Sequence, residues 1–160
     1  MSAESTYNVP LTSLTTREAI TDVLNQTLLA FDTKDTTLFS SCWASQASSI
    51  LDLSGFVVTG VQAMIDVCWP AITPLTTQHM MLNSRIHVAE GAEKAFVTAN
   101  ALHQHIKAPE GKEAGQSIQY LAGLVYAVDL VKVEGMWKVQ RWVMAMKWAQ
   151  GDRGILGSAA

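Results

Sequence analysis

Paired cysteines are missing from this chain. Cys42 and Cys68 are the whole complement, and their spacing fits neither a disulfide framework nor a metal ribbon. Both lie among apolar neighbours, which predicts buried free thiols in a reducing compartment. Long apolar runs are missing too. The longest, Tyr120 to Val128, stops at Asp129, far short of the ~20 residues a membrane-spanning helix needs. The stretch Met1 to Tyr7 has no basic segment followed by an apolar one, so no leader is expected and the expected location is cytoplasmic. An excess of basic charge is lacking: 11 Lys and Arg face 14 Asp and Glu, for a net charge of -3. That balance offers no footprint for nucleic acid or for an anionic membrane. There is no Gly-x-Ser-x-Gly elbow, no phosphate loop and no dinucleotide fingerprint, so covalent-nucleophile and nucleotide chemistry have no support. No His-x-x-x-His or carboxylate spacing supplies a metal site. Neither metal nor cofactor is expected.

What the chain has in quantity is apolar surface. Hydrophobic residues make up 49% and charged residues 16%. The first figure excludes intrinsic disorder. The second leaves few charges to cover the surface and predicts shielding by a second copy, in a homo-oligomer (dimer or trimer) joined through the outer face of a sheet. The 160 residues suit one domain. It is expected over 14–150, with a loose arm at 1–13 and a fraying tail at 151–160.

The order of elements follows from periodicity. Thr15 with Glu18 fits a capping box, and Ile20, Val23, Leu24, Leu28 and Phe31 follow at helical spacing, predicting a helix over 16–33. Asp35 can cap a short second helix. Residues 48–53 read as a strand, Ser54-Gly55 as a turn and Phe56 to Thr59 as the return strand. Val61, Met64, Ile65, Cys68, Trp69 and Ile72 form another helical stripe, which Pro70 and Pro74 are expected to end or kink. Four long β-prone stretches come last, at 77–89, 94–107, 117–133 and 136–148, divided by Glu90-Gly91, Pro109-Glu110-Gly111 and Glu134-Gly135. Helices first and neighbouring strands last is the α+β pattern with an antiparallel sheet. A sheet with one apolar face must curve over the helices, and that leaves an apolar hollow suited to a ligand.

Ionisable groups on apolar elements are the informative ones. Asp32 sits at the edge of the first helical stripe and at a helix C-terminus, where the macrodipole disfavours a carboxylate. It is either a solvated helix end or held by a partner. His79 and His103 lie in successive strands. A hairpin turning at Glu90–Glu93 brings them level if one strand carries a one-residue bulge. Each could instead satisfy backbone groups. His87 and His105 have weaker contexts and read as structural, and Asp52 as solvent-facing. Tyr126 lies midway along an apolar strand, where its hydroxyl needs a partner or a ligand. Trp43, Trp69 and Trp142 read as core, yet with Asn100, Leu124 and Met146 they could also line a pocket for a flat polycyclic ligand. A carboxylate, imidazoles and a phenol around an apolar cavity are the parts for cofactor-free proton transfer, the carboxylate fixing an imidazole tautomer.

Several short segments carry a family resemblance over residues 16–152. They are Phe31-Asp32-Thr33-Lys34-Asp35, Thr77-Gln78-His79, His103-Gln104, Gly135-Met136-Trp137-Lys138 and Lys147-Trp148. In their order and spacing the chain resembles SnoaL-like proteins of the nuclear-transport-factor-2-like superfamily, and more narrowly the scytalone-dehydratase-like group. The resemblance implies a cone-shaped barrel with an interior pocket, an oligomer, and cofactor-free dehydratase, isomerase or cyclase chemistry on polyketides or terpenoids. It also implies an acid/base set of Asp32, His79 and His103. Where the dehydratase pattern has two tyrosines that polarise a carbonyl, this chain has Phe31 and Leu53. Where it has serine and asparagine, the chain has Leu124 and Tyr126. Scytalone itself is therefore not the expected substrate. The expected activity is His/Asp-mediated proton transfer on a hydrophobic small molecule. The alternatives are a non-catalytic ligand-binding or assembly module and a cyclase acting mainly by pocket shape.

Overall fold

The structure is a computed structural model that describes residues 9, 11–108 and 117–157. Most of the expected arm at 1–13, the Pro109-Glu110-Gly111 loop and the last three residues of the expected tail lie outside the described residues.

Helix α1 spans Thr16–Thr33. Its start is the reciprocal capping box of Thr15 and Glu18. It ends at Lys34, in the left-handed conformation (φ 61°). Asp35 then accepts from the Leu38 N–H at 2.8 Å and opens α2, Thr36–Ser41. The hairpin β1 (Ile50–Leu53) and β2 (Phe56–Thr59) precedes α3, Val61–Ile72. Helix α3 runs on past Pro70 for its last turn and stops before Pro74. The long strands follow as β3 (Thr76–His87), β4 (Lys94–Lys107), β5 (Ile118–Val133) and β6 (Met136–Gly151).

The six strands form one sheet in the order β2-β1-β6-β5-β4-β3. The four long strands are antiparallel neighbours, as their sequential turns require. One pairing differs from the all-antiparallel expectation: β1 lies parallel to β6. The two are joined by most of the chain rather than by a turn, so no hairpin constrains their direction.

Bulges bend the sheet. Asn83 and Ser84 oppose the single residue Ala99, with Asn83 at φ 52°. On β6, Gln140 and Lys147 are extra residues against β5. Each adds local twist and curvature. The concave face receives the α1 stripe: Ile20, Leu24 and Leu28 are buried with Val97, Val128 and Tyr126. Burial of one such aliphatic or aromatic side chain contributes roughly 1.5–3 kcal/mol.

The chain end is also built. Gly151 turns at φ 93°, where a Cβ would lie 2.1 Å from the Gln119 carbonyl oxygen. Only glycine passes there. The Asp152 carboxylate then accepts from the Gly154 N–H at 2.7 Å and caps a 3-10 turn, Arg153–Leu156, whose Ile155 and Leu156 pack on the core. These contacts place 151–157, part of the stretch expected as a tail, against β5 and the core.

Candidate active site

Asp32 projects from the last turn of α1 towards β3. Its Oδ1 accepts from the Thr77 hydroxyl at 3.0 Å and meets His79 Nδ1 at 2.6 Å. Its Oδ2 accepts from the His79 backbone N–H at 2.9 Å. Lys34, on the turn beyond α1, donates to Thr77 Oγ1 at 2.6 Å and to the Phe31 carbonyl at 3.1 Å. These donors hold a carboxylate against the unfavourable helix dipole. Burial lowers the Lys34 pKa, and the neighbouring Asp32 charge partly opposes that shift. The His79 side chain is 5% exposed and rests on the Phe31 ring, with centroids 5.3 Å apart.

The register pairs His79 with His103, and the one-residue bulge at Asn83–Ser84 brings them level. Their ring centroids lie 4.3 Å apart. His103 Nε2 bonds the Tyr126 hydroxyl. Two residues along the same face of β4, His105 sits 5.4 Å from His79. Burial, and then the His79 charge, push His103 well below 6.5 and His105 down to about 4. Burial likewise raises the Tyr126 phenol far above its ordinary range, so it stays protonated.

The three histidines line a cavity of about 450 Å³ between the sheet and α3. Leu124 and Met144 continue its buried wall, and the exposed Phe56, Met146 and Arg153 ring its opening. Burial pushes the Cys68 thiol on this wall up to about 12, which makes it a wall group rather than a nucleophile. A second hollow, about 410 Å³, lies between α1 and β3, with Leu29 and Met81 among its lining. Asp32 and His79 border that hollow as well, so His79 stands between the two spaces.

The SnoaL-like domain model matches residues 12–143. The chain belongs to the SnoaL-like family. This SnoaL-like chain is 38% identical over 147 residues to the terrestric acid biosynthesis cluster protein E of Penicillium crustosum, covering 91% of this chain and 92% of that one. Its fold is similar to that of a hexachlorocyclohexane dehydrochlorinase, LinA type 2 (TM-score 0.70, 21% identity, 86% of this chain and 89% of that one). It is also similar to a candidate scytalone dehydratase from Novosphingobium aromaticivorans (TM-score 0.69, 18% identity, 86% and 87%). The architecture is the curved α+β fold of the nuclear-transport-factor-2-like superfamily.

The structure brings Asp32, His79, His103 and Tyr126 together in one chain of contacts. Of the six side chains expected on the pocket wall, Leu124 and Met146 are there and four are elsewhere. Trp43 is buried against Phe39. Trp69 packs on Phe31 and Phe39, behind the His79 support, and donates to the Lys34 carbonyl. Trp142 is fully buried and meets Tyr126 edge-on at 5.0 Å. Asn100 is exposed on the outer face of β4, because period-two alternation puts it opposite in sense to His103. Trp69 thus backs Phe31 of the wall, while Trp142 backs Tyr126, the partner of His103. His105, read as structural from the sequence, lines the cavity. Its signal was its spacing of two from His103, which places both on one face. Among the described residues, no group of three His, Cys, Asp or Glu side chains is arranged to hold a metal ion.

Proposed function

We propose that this SnoaL-like protein is a cofactor-free acid/base enzyme, a lyase or isomerase, acting on a mostly hydrophobic polycyclic secondary metabolite. The carrying observation is the Asp32–His79 contact of 2.6 Å beside a neutral His103–Tyr126 pair, on the wall of an apolar cavity. A proton on His79 Nδ1 is held by Asp32, leaving the Nε2 lone pair as the general base. It removes a proton α to a carbonyl or from a hydroxyl. In an elimination, the C–H electrons form the new double bond and the leaving group departs with its pair, stabilised by a hydrogen bond from the neutral His103 imidazole and then taking up the proton that His79 removed. Tyr126, kept protonated, donates to His103 Nε2 and so places the imidazole proton on Nδ1. Asp32 and His79 also border the outer hollow, a path for the proton to reach solvent while substrate fills the cavity. Elimination, isomerisation and ring closure all use this set. The cluster protein of Penicillium crustosum supports a secondary-metabolite substrate, and the dehydrochlorinase supports an elimination.

The test is a panel of fused-ring hydroxyketones incubated with the protein in D2O and read by mass spectrometry. Loss of water, rearrangement or deuterium uptake at the α carbon is expected for at least one member. A panel left wholly unchanged overturns the reading.

We also propose a homo-oligomer joined through the outer face of the sheet, where Leu82, Phe96 and Trp148 are 45%, 41% and 50% exposed. Light scattering after size exclusion is expected to give a dimer or trimer. A monomer at micromolar concentration contradicts it.

A further inference from the structure

Arg153 stands out at the cavity opening. It is the one fixed positive charge among the described residues lining the cavity, and no described Asp or Glu lines it. Of the other ionisable wall groups, His79 is already paired with the Asp32 carboxylate. His103 and His105 are held neutral by burial, and burial raises the Cys68 thiol. Among the described residues, the Arg153 guanidinium makes no hydrogen bond or ion pair with another side chain. Two other arginines are engaged: Arg17 donates to the Ile86 carbonyl and Arg141 approaches Asp52 at 4.0 Å.

The position of Arg153 is not left to a loose end. Gly151 makes the only backbone turn that fits against Gln119, and the Asp152 N–H donates to the Gln119 carbonyl at 2.9 Å. Asp152 caps the turn through Gly154, and Leu156 anchors it on the cavity wall. The backbone carrying the guanidinium is therefore fixed before any ligand arrives, which reduces the entropy cost of using it. A cation without a partner among the described residues, on the rim of an apolar chamber, can receive a negative group.

From this we infer that the cavity takes a carboxylate-bearing hydrophobic molecule. The carboxylate pairs with Arg153 at the opening, and the apolar body runs inward to the histidines. This deepens the proposed function by naming a substrate class, and it rests on the cavity being the substrate site. Arg153 is a specificity residue in this account and takes no part in proton transfer.

Titration calorimetry with two matched probes, 2-naphthoate and 2-naphthamide, tests it on the full chain. Wild-type protein is expected to bind the acid about five-fold more tightly than the amide, the modest ratio of an ion pair at a solvent-exposed rim. The preference is expected to shrink as salt is raised. Arg153→Gln is expected to abolish the preference while leaving amide affinity unchanged, which doubles as the folding control. Arg153→Lys is expected to keep part of it. Equal binding of acid and amide by the wild type, or a preference that survives Arg153→Gln, overturns this inference and leaves the proposed function standing. Binding of neither probe to the wild type overturns the inference together with the reading of the cavity as a ligand site.

Discussion

His79→Ala is expected to lower turnover by about 10²–10⁴-fold, the usual contribution of one general acid–base group. The variant removes the Nε2 base and leaves the Asp32 carboxylate with Thr77 and the backbone N–H. Those two donors keep α1 tied to β3, so thermal unfolding measures whether the fold persists. Asp32→Asn is expected to lose activity on the same scale. An amide in that place no longer selects the Nδ1 tautomer and can present a donor where His79 needs an acceptor. The loss belongs in kcat more than in KM, because both changes leave the apolar side chains of the wall in place. Unchanged turnover in folded His79→Ala removes His79 from the mechanism.

Acid is expected to unfold this protein early. His105 is pushed down to about 4 in the fold and His103 also lies well below 6.5, both chiefly by burial. In the unfolded chain each takes up its proton near the ordinary 6.5. Between those limits the unfolded state binds more protons, so stability falls as pH drops through the window from 6.5 towards 4. Above 6.5 the contribution is fully present. For His105 the loss is about 3 kcal/mol across the window. At this chain length that corresponds to a fall in Tm of roughly 5–10 °C. Calorimetric scans at steps from pH 7 to pH 4.5 check it against His105→Gln, whose curve is expected to be flatter. Parallel curves for the two proteins rule out His105 as a source of acid sensitivity. Carboxylate titration is common to both and cancels in the comparison.

Much of this architecture is legible without coordinates. The capping box and the stripe from Ile20 to Phe31 define α1, and the separators Glu90-Gly91 and Glu134-Gly135 define two of the turns between the long strands. The level pairing of His79 with His103 follows from counting residues about a turn. Other features are not legible, for identifiable reasons. Tryptophan composition says how much area needs burial, but not on which side of a layer it falls. For Trp43, Trp69 and Trp142 the sequence therefore leaves core and pocket both open, and the structure places them off the cavity wall. The parallel contact of β1 with β6 depends on tertiary packing across most of the chain, which no local pattern encodes. The built tail depends on Gly151 meeting Gln119, a contact between segments distant in sequence. Asn100 and His105 are different: strict alternation from His103 assigns the first outward and the second inward.

The bulge at Asn83–Ser84 has a consequence for how this hairpin can change over evolution. In a strand, parity decides the face on which a side chain falls. The single surplus residue lets the outer end of the hairpin and its imidazole-bearing end each present their apolar members inward. An insertion or deletion of one residue between His79 and the hairpin tip must be absorbed by another such surplus, or it turns Thr77 and His79 out of the protein. Length variation in this arm is thus expected to proceed by twos, and a relative with an odd change is expected to have gained or lost a bulge.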